Sequence, residues 1–148
     1  SQIVRINSIS QPLIEMKSLI LFYSILYFFI TLLSLFIVDD VIKYVFTSEF
    51  YDSIPILKII ILIWFFQALI SLINYPVLGK LITPYKIHKL NSYFIALHLL
   101  SLIIWFIYFN SILDMVSLFL VASIVQLLIL ILSIKKSYKT DTLNSNMF

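Results

Sequence analysis

Four stretches of this chain carry no Asp, Glu, Lys or Arg: Ser18–Val38, Ile59–Gly79, Leu90–Leu113 and Met115–Ile134, each 20 to 24 residues long. An α-helix rises about 1.5 Å per residue, so roughly 20 residues cross the ~30 Å hydrocarbon core of a bilayer. A large soluble protein can surround one such helix, but four of them in 148 residues leave no polar surface to cover them. The chain is 62% hydrophobic and 11% charged, with a mean hydropathy of +1.10, whereas about a quarter of a soluble domain is charged. Its many Ile, Phe and Tyr residues favour strands in water. In lipid that preference is overridden, because only helices and closed barrels pair every backbone N–H and C=O. Barrel strands alternate apolar and polar residues over about ten positions. The runs here are twice as long and do not alternate, so the sequence reads as an all-α integral membrane bundle of four transmembrane helices.

The charges and turn residues divide the chain. Residues 1–17 form a polar N-terminal segment expected on the cytoplasmic side, helical from Pro12. Residues 18–134 form the membrane region, with spans expected at about 18–38, 55–78, 90–109 and 115–134. Residues 135–148 read as a solvated cytoplasmic tail. Between the first two spans, residues 39–53 mix Asp39, Asp40, Lys43, Glu49 and Asp52 with Tyr44, Phe46, Phe50 and Tyr51. That mixture of rings and charges suits the headgroup region and predicts a short interfacial helix or turn. Lys58 stands close enough to its helix end to snorkel outward. Residues 80–89 read as a short basic loop. The turn Asn110–Asp114 makes the last two spans an antiparallel hairpin.

Orientation follows from the cations. Arg5, Lys17, Lys80, Lys86, Lys89, Lys135, Lys136 and Lys139 fall on one side and only Lys43 and Lys58 on the other, which by the positive-inside rule puts both ends in the cytoplasm. The basic pI of about 9.1 is thereby explained by topology, with no nucleic-acid partner. With no cysteine there is no thiolate metal site and no Cys nucleophile. No HExxH, phosphate-cradling Gly-rich loop or Ser/His/Asp set is present, so no enzyme, metal or cofactor is expected. Asp39-Asp40 reads as an interfacial feature of a helix end.

Polar residues inside the spans recur at helical spacing: Ser24, Tyr27, Thr31 and Ser34; Gln67, Ser71 and Asn74; Asn91, His98, Ser101, Trp105 and Tyr108; Ser123, Gln126 and Ser133. A polar stripe in lipid faces other helices or a water-filled cavity. Under the first reading Ser and Thr let helices approach, and Gln67, Asn74 and Gln126 bond across them, each contact contributing about 0.6–2 kcal/mol. Under the second, Gln67, Asn74, Asn91, His98 and Gln126 are the candidates for contact with a substrate. His98 is the one imidazole well inside a span; His88 falls in the basic loop.

The segment Phe46-Thr47-Ser48-Glu49-Phe50-Tyr51-Asp52-Ser53-Ile54-Pro55-Ile56-Leu57-Lys58 resembles the approach to a late transmembrane helix in bacterial polysaccharide flippases. These are the O-antigen and capsule transporters of the multidrug/oligosaccharidyl-lipid/polysaccharide superfamily. Asn74, Leu78-Gly79, Pro84 and Lys86 are similar to positions that follow in that family, while Thr47 stands where it usually has Gly. The resemblance covers about residues 40–90 by motif and the remainder by hydropathy. It implies the last four spans of a transporter of roughly twelve, which fits a chain beginning with Ser1. It also implies movement of an undecaprenyl-pyrophosphate-linked repeat unit across the bacterial inner membrane by alternating access. The partners implied are the bilayer, the lipid-linked oligosaccharide and the preceding N-terminal helices. Competing readings are a small four-span flippase for lipid-linked monosaccharides, part of a membrane polysaccharide polymerase or glycosyltransferase, and a non-catalytic membrane subunit.

Overall fold

A computed structural model describes residues 2–74 and 84–145, with side chains described at 18–74 and 87–135. The described residues are helical apart from short turns, with no strand among them. They form four long helices: α1 (Gln2–Val45), α2 (Ile54–Ile73), α3 (Pro84–Tyr108) and α4 (Ile112–Ser145). A 3₁₀ turn, Ser48–Ser53, joins the first two. Four stretches of 22 to 28 residues are long and apolar enough to cross a bilayer, one in each of α1, α3 and α4 and one running from the 3₁₀ turn through α2.

The helices outrun the uncharged runs. α1 continues seven residues past Val38, through Asp39, Asp40 and Lys43. Charged side chains do not break a helix, Asp39 and Lys43 stand at the favourable i,i+4 spacing, and no Gly or Pro intervenes. The turn expected over 39–53 is thus confined to 46–53. Phe46 N–H closes the last turn of α1 on the Ile42 carbonyl at 3.0 Å, and Thr47 turns the chain with an extended backbone (φ −72°, ψ 164°). Pro55 lies in the first turn of α2, where its missing N–H costs nothing.

α3 likewise begins at Pro84, a favoured first helical position, within the expected basic loop. α4 runs on to Ser145, past the span end expected at residue 134 and through most of the tail. It starts at a cap: the Ser111 hydroxyl accepts the Leu113 N–H at 3.1 Å, and Asp114 places a negative charge at the positive end of the helix. Helical backbone also covers the N-terminal segment from Gln2, ahead of Pro12. The expected end of the second span at residue 78 lies outside the described residues.

Paired positions fix the arrangement. Gln67 meets Ser123 and Gln126, and Ile70 meets Leu130, so α2 and α4 are parallel neighbours. Asn74 meets Asn91, and Ile70 meets Phe94, so α3 is antiparallel to α2. Lys58 meets Asp39, and Phe65 meets Phe28, so α1 is antiparallel to α2. α2, α3 and α4 share a core of Ile70, Phe94 and Leu130, flanked by Ile73, Leu90 and Leu127. α1 lies outside that group, packed mainly along α2 and the 3₁₀ turn.

Candidate functional site

The polar side chains of the spans gather at three levels along the bundle. Nearest the α1–α2 turn, Lys58 Nζ donates to Asp39 Oδ2 at 2.8 Å and lies 2.7 Å from Oδ1, both side chains being 38% exposed. The Lys58 side chain is therefore engaged by α1. The sequence treated the two residues separately, although opposite charges flanking a helical hairpin at similar distances from its turn are the signal for such a pair. No other side-chain hydrogen bond or ion pair among the described residues joins α1 to the other long helices.

The middle level is the most elaborate. Gln67 Nε2 donates to Ser123 Oγ at 3.0 Å and to Gln126 Oε1 at 3.3 Å. Ser123 is fully buried and spends its own proton on the Phe119 carbonyl at 2.9 Å. Its oxygen can therefore only accept from Gln67, which fixes the orientation of the Gln67 amide. The second Gln67 N–H then selects the oxygen of Gln126. Gln67 Oε1 and the Gln126 amide N–H groups are left without a protein partner among the described residues.

His98 joins this level from α3. Its Nδ1 lies 2.9 Å from the Phe94 carbonyl, an atom that only accepts, so Nδ1 carries a proton. In the neutral ring Nε2 is then a bare acceptor. The imidazole also stacks at a tilt on Phe119 of α4, with ring centres 5.6 Å apart. Gln67, His98 and Gln126 line one open cleft of about 300 Å³, whose other walls are Phe94, Ile95, Leu99 and Leu102. Counted at about 1.5 Å per residue from the starts of α2 and α4 and the end of α3, the three polar residues lie roughly 15–21 Å from the same end. That is close to the middle of a ~30 Å core.

At the third level Asn74 Nδ2 donates to Asn91 Oδ1 at 3.2 Å, tying the last turn of α2 to α3. Asn74 Oδ1 is buried and has no partner among the described residues. The five candidate residues thus fall into two groups, Gln67–His98–Gln126 at mid-depth and Asn74–Asn91 nearer one surface.

Other members of the expected stripes do not join them. Ser71 is exposed, because α2 turns it away from α3 and α4, and Tyr108 is exposed beyond the packed part of α3. Ser101 is buried but bonds only back to the Leu97 carbonyl. Ala122, buried beside Ser123, carries no polar atom and so lies outside the polar stripes; a small side chain next to a serine is its signal in the sequence.

A second, larger cleft of about 590 Å³ separates α1 from α2. Tyr27, Thr31 and Ser34 of α1 line it together with Ile61, Phe65 and Ala68 of α2. Tyr27, Thr31 and Ser34 of the α1 stripe therefore face α2, as helical spacing implied, but across open space, with no side-chain bond to a partner among the described residues.

Of the orienting cations, Lys89 and Lys135 are exposed. Lys80 lies outside the described residues, as do the side chains of Lys86, Lys136 and Lys139. Comparison with protein-family models, with curated proteins and with solved structures finds no match to this chain.

Proposed function

We propose that this chain is one helical lobe of a bacterial inner-membrane transporter, with both ends in the cytoplasm, that moves an undecaprenyl-pyrophosphate-linked oligosaccharide outward for surface polysaccharide synthesis. The family rests on the resemblance of Phe46–Lys58 and the positions that follow it. The observation that carries transport is the cleft at mid-depth. Unpaired polar atoms at the centre of a bilayer are costly, and where they occur they mark substrate or ion pathways. Gln67, His98 and Gln126 are polar residues lining an open space at that depth. Among the described residues no carboxylate or nucleophile lines the cleft with them, and the reading is passage without covalent chemistry. Alternating access requires a second lobe rocking against this one, and the preceding N-terminal helices of a longer protein would supply it.

One observation favours a smaller machine. The α2–α3–α4 group already satisfies part of its polar ladder internally, through Gln67–Ser123, Gln67–Gln126 and Asn74–Asn91. A self-sufficient four-span flippase or membrane subunit would show the same. Expression in a flippase-deficient cell separates the two. The lobe reading expects residues 1–148 alone to insert without restoring surface polysaccharide, and to restore it when co-expressed with the preceding spans. Full rescue by the isolated chain would put the four-span protein first.

A further inference from the structure

We propose that the cleft between α1 and α2 holds one acyl chain of a bilayer phospholipid, drawn from the leaflet on the side of the 3₁₀ turn; the site is independent of what the protein transports. The cleft is continuous with the bilayer-facing surface of α1. None of the apolar stretch of α1 is buried in the bundle, and the whole lining falls within the two stretches long enough to span, Ser18–Val45 and Ser48–Ile73. Leu33 on the α1 wall and Trp64 on the α2 wall are 60% and 72% exposed, so the groove opens to the hydrocarbon around the bundle.

Its length fits one leaflet. From Val41 to Tyr27 the groove runs about 21 Å along α1 at 1.5 Å per residue. The Asp39–Lys58 pair bridges the same two helices near the Val41 end and marks the level where charge begins. Tyr27 stands about 18 Å deeper than Asp39, against roughly 15 Å for half of the ~30 Å hydrocarbon core. Its width selects a chain over a helix. A volume of about 590 Å³ spread over about 21 Å leaves a mean cross-section of roughly 28 Å². A helix with its side chains is about 10 Å across and needs roughly 80 Å². Carbon atoms in contact stand about 3.5–4.0 Å apart, so a single file of methylenes fits.

The walls favour hydrocarbon over water. Thr31 and Ser34 of α1 and Ala68 of α2 are small and leave the gap, and most of the remaining lining is aliphatic or aromatic. A Ser or Thr hydroxyl can turn back to a carbonyl of its own helix, so these positions require no polar guest. An enclosed water needs two to four polar partners, which this lining does not gather at any one point. Lys58 is held by Asp39, and Asp40 and Lys43 add opposite charges in the same turn, so the chain of the lipid and not the charge of its headgroup decides binding.

The full chain, transferred from phosphatidylcholine nanodiscs into lipid-free detergent, is weighed by native mass spectrometry. The expected result is one phosphatidylcholine retained per chain, phosphatidylglycerol retained equally well, and a phosphatidylcholine with chains half as long retained several-fold less. Ser34→Leu and Ala68→Phe fill the groove from opposite walls, and each should cut retention at least about tenfold, because two groups cannot share one closely packed volume. Leu132→Phe, on an exposed face of α4, should leave it unchanged. A second reading is taken in the membrane. The chain has two tryptophans, so Trp105→Phe leaves Trp64 as the sole emitter. Phospholipid brominated in mid-chain should quench Trp64 more strongly in that variant than after Ser34→Leu is added. No retained lipid, undiminished retention in both filled variants, or Trp64 quenching indifferent to Ser34→Leu would overturn the site. Preferential retention of phosphatidylglycerol would move the lipid from the groove to the charged turn, and displacement by an equimolar polyprenyl phosphate would overturn the phospholipid as its occupant.

Discussion

α1 and α4 are almost equally apolar, with mean hydropathies of 2.4 and 2.8 over their most hydrophobic stretches, yet 0% of the α1 stretch is buried in the bundle against 28% for α4. The difference lies in the few residues that are not large and apolar. α4 presents Ala122, Ser123 and Gln126, small or bonding groups that let α2 approach closely and give it something to hold. α1 presents Thr31 and Ser34 to a cleft, with bulky Phe22, Phe29 and Phe36 exposed elsewhere on its surface. In lipid, apolar surface does not drive helices together, because the tails are as apolar as the side chains. Hydropathy therefore governs insertion, and small and polar residues govern association.

The comparison breaks most sharply at matched serines. Ser123→Leu forces a large side chain into a fully buried position, and should destabilise the bundle by about 1–3 kcal/mol in a mixed-micelle unfolding titration, in addition to the lost Gln67 bond. Ser34→Leu adds the same volume beside the 590 Å³ cleft, and should change the midpoint little. Equal losses from the two changes would mean that α1 is as tightly packed as α4.

Within α2 a smaller contrast is expected. Asn74→Leu removes the bond to Asn91, and should cost about 0.6–2 kcal/mol by the same titration. Ser71→Leu, three residues earlier on an exposed face, should be close to neutral. A larger effect at Ser71 would restore the single continuous stripe expected from spacing.

The smallest effect belongs to the ion pair. With both partners more than a third exposed, Asp39–Lys58 is screened, and Lys58→Ala should cost no more than about 1 kcal/mol, less in high salt. Its consequence is local. Mobility of a spin label at Tyr44, on the fully accessible end of α1, should rise in Lys58→Ala and return to the original value when the charges are exchanged (Asp39→Lys with Lys58→Asp). An unchanged label would remove the pair as a latch for α1.

The helical class and the number of spans were legible because the bilayer leaves so few alternatives. Helix ends were less so. Lipid thickness sets where charge stops being excluded, whereas backbone chemistry sets where a helix stops. The two separate at Asp39–Val45 and beyond Lys135, where charged residues continue the helix, and at Pro84, which opens one. Spacing also identified Gln67, Asn74, Asn91, His98 and Gln126 as inward-facing candidates, but not which would meet. That depends on α2 and α4 being parallel neighbours, a tertiary fact with no local signature. Ser71 shows the same limit from the other side: i,i+4 spacing makes a stripe, but a helix covered on only part of its circumference exposes one edge of it.

Oxygen accessibility of single nitroxide labels in lipid tests the central contrast most directly, and the absence of native cysteine makes each label unique. Scans along Leu26–Val38 and Leu118–Leu130 should differ in depth. The α4 scan should fall to deep minima at Ala122, Ser123, Gln126 and Leu130, at helical period. The α1 scan should stay high, with only a shallow dip at Tyr27, Thr31 and Ser34. Minima of equal depth in the two helices, or an α4 scan without minima at Ser123 and Gln126, would contradict an α1 held loosely outside an α2–α3–α4 core.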